Sequence, residues 1–377
     1  MWKRAIEDAV TKTRANLLRF GEQFPHVSEA DGVYQLQDNS DWTEGFWGGI
    51  LWLCYEYSGD RAFAEAAKKT VASFRQRMEN NFQLNHHDIG FLYSLSSGAQ
   101  WIIERDEAAR RLTLQAAETL MRRWRPKGQY LQAWGREDDP DDGGRIIIDC
   151  LLNVPLLHWA FRQTGDSRYR DVAVSHTDKS RKYLIRGDDS SYHTFHFARD
   201  TGYPLRGNTF QGEHDGSVWS RGQAWGLYGF ALAYVNTGNE AYLETSRRLA
   251  NYFIANLPND HVPYWDFAVA EEGAYRDSSA AAIAACGMLE LLDRLSPGHP
   301  DRSAIETAAC SMVQSLAERY STIGDADAQG FIRHGAYHVK RGLSPDGFMI
   351  WGDYFYLEAL MRLERRSRGY WYERPAT

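Results

Sequence analysis

The feature that most constrains this chain is a repeated pair of helices. One member of each pair is rich in Gly, Ala, Leu and aromatic residues. The other is amphipathic, with Ala, Arg and Glu, and a short Gly/Asp turn joins the two. Asp41-Trp42-Thr43-Glu44 leads into a helix over 46–57, the turn Ser58-Gly59-Asp60 and a charged helix over 61–78. His87-Asp88 opens the second unit, with helices over 89–104 and 107–124 around Asp106. Asp149 opens the third, whose apolar helix runs past Pro155, a kink or a first turn, to Thr164-Gly165-Asp166. Residues 167–184 are its charged partner. Ser220-Arg221-Gly222-Gln223 opens the fourth, ending at Thr237-Gly238-Asn239. Asp277-Ser278-Ser279 opens the fifth, ending near Ser296-Pro297-Gly298. The sixth runs from about Trp351-Gly352-Asp353 to Arg366, which leaves residues 1–20 as the last charged helix.

Apolar helices need cover on most sides, whereas amphipathic ones show a face to water. Six of each predict an all-α (α/α)6 barrel formed by a single domain over 1–377. An open α-solenoid uses the same unit. The long connections 81–87, 127–145, 185–218 and 320–346 favour the ring, because each precedes an apolar helix and a ring gathers them at one mouth. Connections of that length are usually functional.

Charged residues make up 25% of the chain, the net charge is −7, and the basic residues are dispersed among acidic ones. Such a surface offers no field for nucleic acid or an anionic membrane. The N-terminus lacks the apolar core of a signal peptide and no stretch is apolar enough to span a bilayer, so a cytoplasmic protein is expected. No exposed coiled-coil pattern is evident, and a monomer is the default. Cys54, Cys150, Cys286 and Cys310 are far apart, with no zinc-type spacing. They read as buried thiols. The 13 Trp and 21 Tyr include several in polar, glycine-containing segments, which suggests a binding surface made of rings.

Asp41, Asp88, Asp149, Asp277 and Asp353 fall at the starts of the apolar helices, where free N–H groups favour anions. Asp is also a favoured N-cap, the reading adopted for Asp41, Asp277 and Asp353. Asp149 sits in the run Ile146-Ile147-Ile148-Asp149-Cys150-Leu151-Leu152. Desolvation there raises its pKa, as a proton donor near neutrality requires. Asp88 lies in Asn85-His86-His87-Asp88-Ile89-Gly90. A metal on the two histidines is disfavoured, because adjacent side chains diverge and no third ligand follows. Two carboxylates at a sugar-sized mouth fit glycosidase chemistry. Trp42, Trp134, Trp219 and Trp225 lie beside polar or glycine residues and suit the C–H faces of pyranoses, while Trp47 and Trp52 read as packing. Arg221 can hold a carboxylate in a two-point geometry or pair with a neighbouring Asp. His193, Thr209 and Gln211 lie on the longest loop, within reach of a substrate.

Asp41-Trp42-Thr43, His86-His87-Asp88-Ile89-Gly90, Gly143-Gly144-Arg145-Ile146-Ile147-Ile148-Asp149, Asp188-Asp189-Ser190-Ser191-Tyr192-His193, Trp219-Ser220-Arg221-Gly222-Gln223-Ala224-Trp225 and Ile350-Trp351-Gly352-Asp353-Tyr354 together resemble the unsaturated glucuronyl hydrolases of glycoside hydrolase family 88. The resemblance spans essentially the whole chain. It implies a substrate partner: oligosaccharides that carry a lyase-generated unsaturated uronic acid at the non-reducing end. It further implies that an acid protonates C4 of the C4=C5 enol ether, water adds at C5, and the hemiketal opens until the glycosidic bond is lost, without a cofactor. On this resemblance Asp149 is the acid and then the base for the water, and Asp88 holds hydroxyls and stabilises positive charge. His87, His193, Thr209, Gln211 and Arg221 surround the uronate or the water, and the four tryptophans stack on two sugars. Arg366-Ser367-Arg368-Gly369 matches a sulfate-binding segment poorly, which favours unsulfated glycosaminoglycan, gellan or xanthan fragments.

Rival readings are an unsaturated rhamnogalacturonyl hydrolase, a sugar 2-epimerase and a carbohydrate-binding scaffold without activity. An epimerase needs histidines at the barrel centre for proton transfer, and His158 lies too deep in its helix for that. A scaffold leaves the carboxylate among isoleucines unexplained.

Overall fold

The computed structural model describes residues 1–373 apart from 30, 31, 141, 270 and 272. The chain opens with α1 (Trp2–Phe20) and the antiparallel strands β1 (Phe24–Ser28) and β2 (Tyr34–Gln37). Next come α2 (Glu44–Ser58), α3 (Arg61–Glu79), α4 (Ile89–Tyr93), α5 (Ala99–Glu104) and α6 (Glu107–Met121). A π-turn, Ser94–Gly98, makes α4 and α5 one continuous helix. Two short pairs follow, β3 (Trp124–Arg125) with β4 (Tyr130–Leu131), then β5 (Arg145–Ile147) with a later strand. The 3-10 turn Ile148–Leu152 leads into α7 (Pro155–Thr164) and α8 (Ser167–Tyr183). Strands β6 (Thr194–Phe197) and β7 (Pro204–Asn208) complete a three-stranded sheet on β5. The rest is helical: α9 (Ser220–Thr237), α10 (Glu240–Ala255), α11 (Ser278–Leu292), α12 (Arg302–Ser315) and α13 (Ile350–Leu363).

The sequence pattern explains which helices lie inside. In α9 every residue from Ser220 to Ala233 is buried, and α11 and α13 are enclosed over nearly their whole length. By contrast α3 buries only Phe63, Ala64, Ala67, Thr70, Val71, Phe74 and Arg77, a stripe at helical spacing. Tight turns join inner to outer helices by one recurring device. Gly59, Gly165 and Gly238 take the left-handed conformation that ends a helix, and Asp60, Asp166 and Asn239 then cap the next one with a side-chain oxygen. In the second unit Arg105 occupies the left-handed position at φ 58° and Asp106 caps α6. The ring closes where α13 packs on α2, with α1 outside both. The architecture is an (α/α)6 barrel.

Several local expectations need correction. Asp149 does not open an α-helix. The β-branched Ile146 and Ile147 form strand β5 against Phe195 and Thr194, as such side chains prefer, and Asp149 follows in the 3-10 turn. Pro155 then supplies the first turn of α7, so it starts the helix and does not kink it. Of the predicted caps only Asp277 caps its helix, accepting from Ser279 and Ala280 N–H. Asp41 accepts from the Trp42 N–H, ahead of the helix. Asp353 lies inside the first turn of α13 and instead clamps a loop, accepting from Phe331 and Ile332 N–H and the Tyr34 hydroxyl. Trp47 and Trp52 are core residues as expected, and three of the four thiols are buried, Cys310 being partly open. At the barrel end away from the loops the last described residues act as a plug. Trp371 stacks on Phe355 with ring planes 3° apart and donates to Glu358. Glu373 accepts from Trp101, Trp159 and Gln163.

Candidate active site

The loops that precede the inner helices enclose a cavity of about 320 Å³. Its wall includes Asp88, Asp149, His87, Gln211, Arg221 and the four tryptophans Trp42, Trp134, Trp219 and Trp225. These come from separate elements. Asp88 immediately precedes α4, and the β5–β6 pairing, continued by the Ile148 N–H to the His193 carbonyl, sets Asp149 beside His193.

The two carboxyl groups have opposite environments. Burial and then the charge of Asp88 push the Asp149 pKa up to about 7, so a proton remains on it near neutrality. Its Oδ1 has no hydrogen-bond partner among the described residues, and 17% of the side chain stays open to the cleft. Burial also acts to raise the Asp88 pKa, but His87, His86 and the Asn153 amide outweigh it and hold the group below its usual value. The adjacent histidines do not diverge as expected. His86 Nδ1 lies 3.3 Å from Asp88 Oδ2 and His87 Nε2 3.4 Å from Oδ1, so both rings flank one carboxylate. Burial lowers the His87 pKa to about 4, leaving a neutral ring.

His193 stands just behind the wall. The Phe210 and Gln211 N–H groups both donate to its Nδ1 at 3.1 Å, which assigns the ring proton to Nε2. Burial keeps this imidazole neutral. Its Nε2 has no hydrogen-bond partner among the described residues and lies 4.0 Å from Asp149 Oδ1. A ring N–H and a carboxyl oxygen thus face each other at the edge of the cleft.

Arg221 realises the salt-bridge reading. It is 1% exposed, pairs with Asp277, donates to the Ala336 and Tyr337 carbonyls, and stacks 4.4 Å over Trp219. Its remaining N–H groups are what it can offer the cleft it borders. Gln211 also donates to the Tyr337 carbonyl, at 2.9 Å. Thr209 is not part of the wall. Its hydroxyl accepts from the Gly212 N–H and shapes the turn that carries Gln211.

The wall also holds Phe210, beside Gln211 on the 185–218 connection, and Tyr337, His338 and Arg341, which no motif in the sequence marks. His338 is 4% exposed and neither ring nitrogen has a hydrogen-bond partner among the described residues. Arg341 stacks 4.4 Å over Phe210 and has no carboxylate partner among the described residues. The length of the 320–346 connection was the one signal that this loop contributes, and length does not say which side chains face inward.

The fold and the cleft define an (α/α)6 toroid whose mouth carries an unequal pair of carboxyl groups among aromatic rings. The chain belongs to glycosyl hydrolase family 88, whose model matches residues 18–356. It is 58% identical to the unsaturated glucuronyl hydrolase of Bacillus sp. (strain GL1), over 99% of this chain and 100% of that one. The crystal structure of that enzyme, described as responsible for the degradation of glycosaminoglycan, superposes with a TM-score of 0.98 at 57% identity, covering 100% of both chains. An unsaturated chondroitin disaccharide hydrolase of Streptococcus agalactiae serotype III is 42% identical over 98% of this chain and 93% of its own length.

Proposed function

We propose that this glycoside hydrolase acts as one catalytic unit and removes the 4-deoxy-Δ4,5 uronic acid from the non-reducing end of oligosaccharides left by polysaccharide lyases. Solved relatives hold such sugars. One, at 57% identity, is a complex with dGlcA-Glc-Rha-Glc, and another, from S. agalactiae at 40%, a complex with dGlcA-GalNAc6S. The observation that carries the mechanism is the pairing of a protonated Asp149, Oδ1 free, with an ionised Asp88.

Asp149 donates its proton to C4 of the enol ether, and the positive charge that develops toward C5 and the ring oxygen is stabilised by ionised Asp88. Asp149, now a carboxylate, takes a proton from the water that adds at C5, with the His193 Nε2 and Gln211 helping to place that water or the uronate. The hemiketal opens, and the rearrangement that follows releases the second sugar. Trp42 and Trp134 stack on the sugar faces, the buried Trp219 and Trp225 back the wall, and His87 holds Asp88 in register. Asp149→Asn keeps the shape of the acid but cannot give up a proton to carbon. We expect it to fold and to bind unsaturated disaccharide while turnover falls by at least about 10³-fold. The assay is loss of the enol ether's ultraviolet absorbance on unsulfated and sulfated disaccharides, faster on the unsulfated ones. Cleavage of saturated glycosides with unsaturated ones left intact would contradict the mechanism.

A further inference from the structure

Arg123 lies in the turn between α6 and β3, outside the cavity wall, and no motif in the sequence marks it. It is 3% exposed. Its guanidinium joins two segments that both reach the cleft. Nε donates to the Gln132 carbonyl at 3.0 Å, and both terminal nitrogens donate to the Gly135 carbonyl at 3.0 Å. One of those nitrogens also donates to the side-chain oxygen of Asn85. The Asn85 amide closes the triangle with a hydrogen bond of its own to the Gly135 carbonyl, at 3.3 Å. Gly135 directly follows Trp134, and Asn85 precedes His87 and Asp88 in the same short segment. Trp134, His87 and Asp88 all line the cavity.

The two segments are tied on either side of the Trp134 ring. Before it, the His87 N–H donates to the Ala133 carbonyl at 2.9 Å, a backbone bond that no side chain controls. After it, the tie at Gly135 runs through Arg123 and Asn85. Gly135 has a left-handed φ of 67°, which glycine adopts without strain, and its carbonyl meets the guanidinium. A guanidinium carries five N–H groups in one plane, so one side chain satisfies oxygens that arrive from different directions. Among the described residues these acceptors are all uncharged. Burying a cation without a carboxylate partner is costly. An apolar side chain would fill the space without that cost, but the Gly135 carbonyl would keep only the Asn85 and Gln132 amides, both at 3.3 Å.

We infer that Arg123 is a positioning residue that sets the distance and angle of the Trp134 ring from Asp88, and with them the width of the slot that takes a sugar ring. The inference rests on the reading of the cleft proposed above. Ring stacking needs close contact, and a gap of about 0.5–1 Å forfeits roughly a quarter to a half of the attraction. Asp88 keeps its own anchor, because α4 follows it directly. Loss of the clamp therefore weakens binding more than it slows the chemical step.

The test is steady-state kinetics on an unsaturated disaccharide for Arg123→Lys, Asn85→Ala and Trp134→Ala, with Trp134→Ala also combined with each of the other two. Lysine keeps the charge on a similar stem, but its single nitrogen cannot reach all three acceptors. Arg123→Lys is expected to raise KM on the order of 10-fold while kcat stays within about threefold. In the Trp134→Ala background the same substitution is expected to change KM by less than about twofold, because the ring it places is gone. A merely structural role predicts the opposite split, fewer folded molecules and so a lower kcat at unchanged KM. An unchanged KM overturns the inference, and so do KM effects of Arg123→Lys and Trp134→Ala that simply multiply. Should Arg123→Lys not fold, Asn85→Ala decides by the same comparison, since its side chain is exposed and its KM effect is likewise expected to vanish without Trp134. Wild type that binds the disaccharide but leaves the enol ether intact sinks the hydration reading instead. The coupling is then read from dissociation constants for that disaccharide, so the two failures are distinct.

Discussion

Asp149 and Asp88 are chemically identical side chains that the fold makes different. Asp149 follows a strand of isoleucines, and burial and then the charge of Asp88 disfavour its ionisation, so its proton is retained up to about pH 7. Asp88 has an amide and two imidazoles around it and loses its proton early. Activity requires the first protonated and the second ionised. The rate is therefore expected to fall above about pH 7 and to hold on the acid side to below the ordinary carboxylate range, measured as kcat/KM against pH. The same asymmetry affects stability. In the unfolded chain Asp149 ionises near the ordinary aspartate value of ~3.9, whereas in the folded one it holds its proton to about 7. Between those limits the unfolded state binds fewer protons, so stability falls as pH rises, by at most about 1.4 kcal/mol per pH unit. Water in the cleft reduces that figure. Asp149→Asn escapes this loss. Its thermal midpoint is expected to gain on wild type between pH 4 and 7, and a constant difference would contradict the raised pKa.

The residue types at the site were legible where they stood out from their surroundings. A carboxylate among isoleucines, a histidine pair before an apolar helix and tryptophans beside glycines all lie at the mouth. Asn153 and His338 carry no such contrast. A buried asparagine two residues before a proline and a histidine in a long loop look ordinary until the opposing backbone is in place. Nor does the sequence around Thr209 show that its hydroxyl accepts from the Gly212 N–H and shapes the turn that carries Gln211.

At the scale of elements, the contrast between helices apolar all round and helices apolar on one face determined the order of the ring. The loops were less legible. Short strands such as β5, β6 and β7 have too few residues to show a period-2 pattern against the helical background, and the isoleucines of β5 read only as an apolar flank of Asp149. Close approach of inner helices is set by glycines. In α11, a Cβ on Gly287 would meet Leu227 Cδ2 at 2.3 Å and Tyr228 Cα at 2.9 Å. Gly287→Ala is expected to destabilise the protein by about 1–3 kcal/mol in denaturant titration, with the pH profile unchanged because both carboxyl groups lie on other elements. A shifted profile would mean that the α9–α11 spacing reaches the site.

For the whole molecule, a barrel of inner helices has two ends with opposite tasks. The loop end collects helix N-termini and the catalytic side chains. The other end is closed by the C-terminal segment, where Trp371 is 1% exposed between Phe355 and the Glu358 carboxylate. Glu358 and Glu290 both pair there with Arg362, which also donates to the Tyr228 hydroxyl. Removing the tryptophan leaves a large hole and an unpaired lobe on a buried carboxylate. Trp371→Ala is expected to cost about 3–5 kcal/mol in thermal or denaturant unfolding, while the folded fraction keeps its KM. A loss under 1 kcal/mol would show that the plug is dispensable. The described helices include none long and apolar enough to cross a membrane.

The central claim is that Asp149 delivers a proton to carbon, so that the double bond is hydrated before the sugars part. Turnover of an unsaturated disaccharide in D2O, followed by proton NMR and absorbance together, tests it directly. The account predicts deuterium at C4 on one face only, with loss of the enol ether leading or keeping pace with release of the second sugar. Release of that sugar ahead of the loss of absorbance would contradict it.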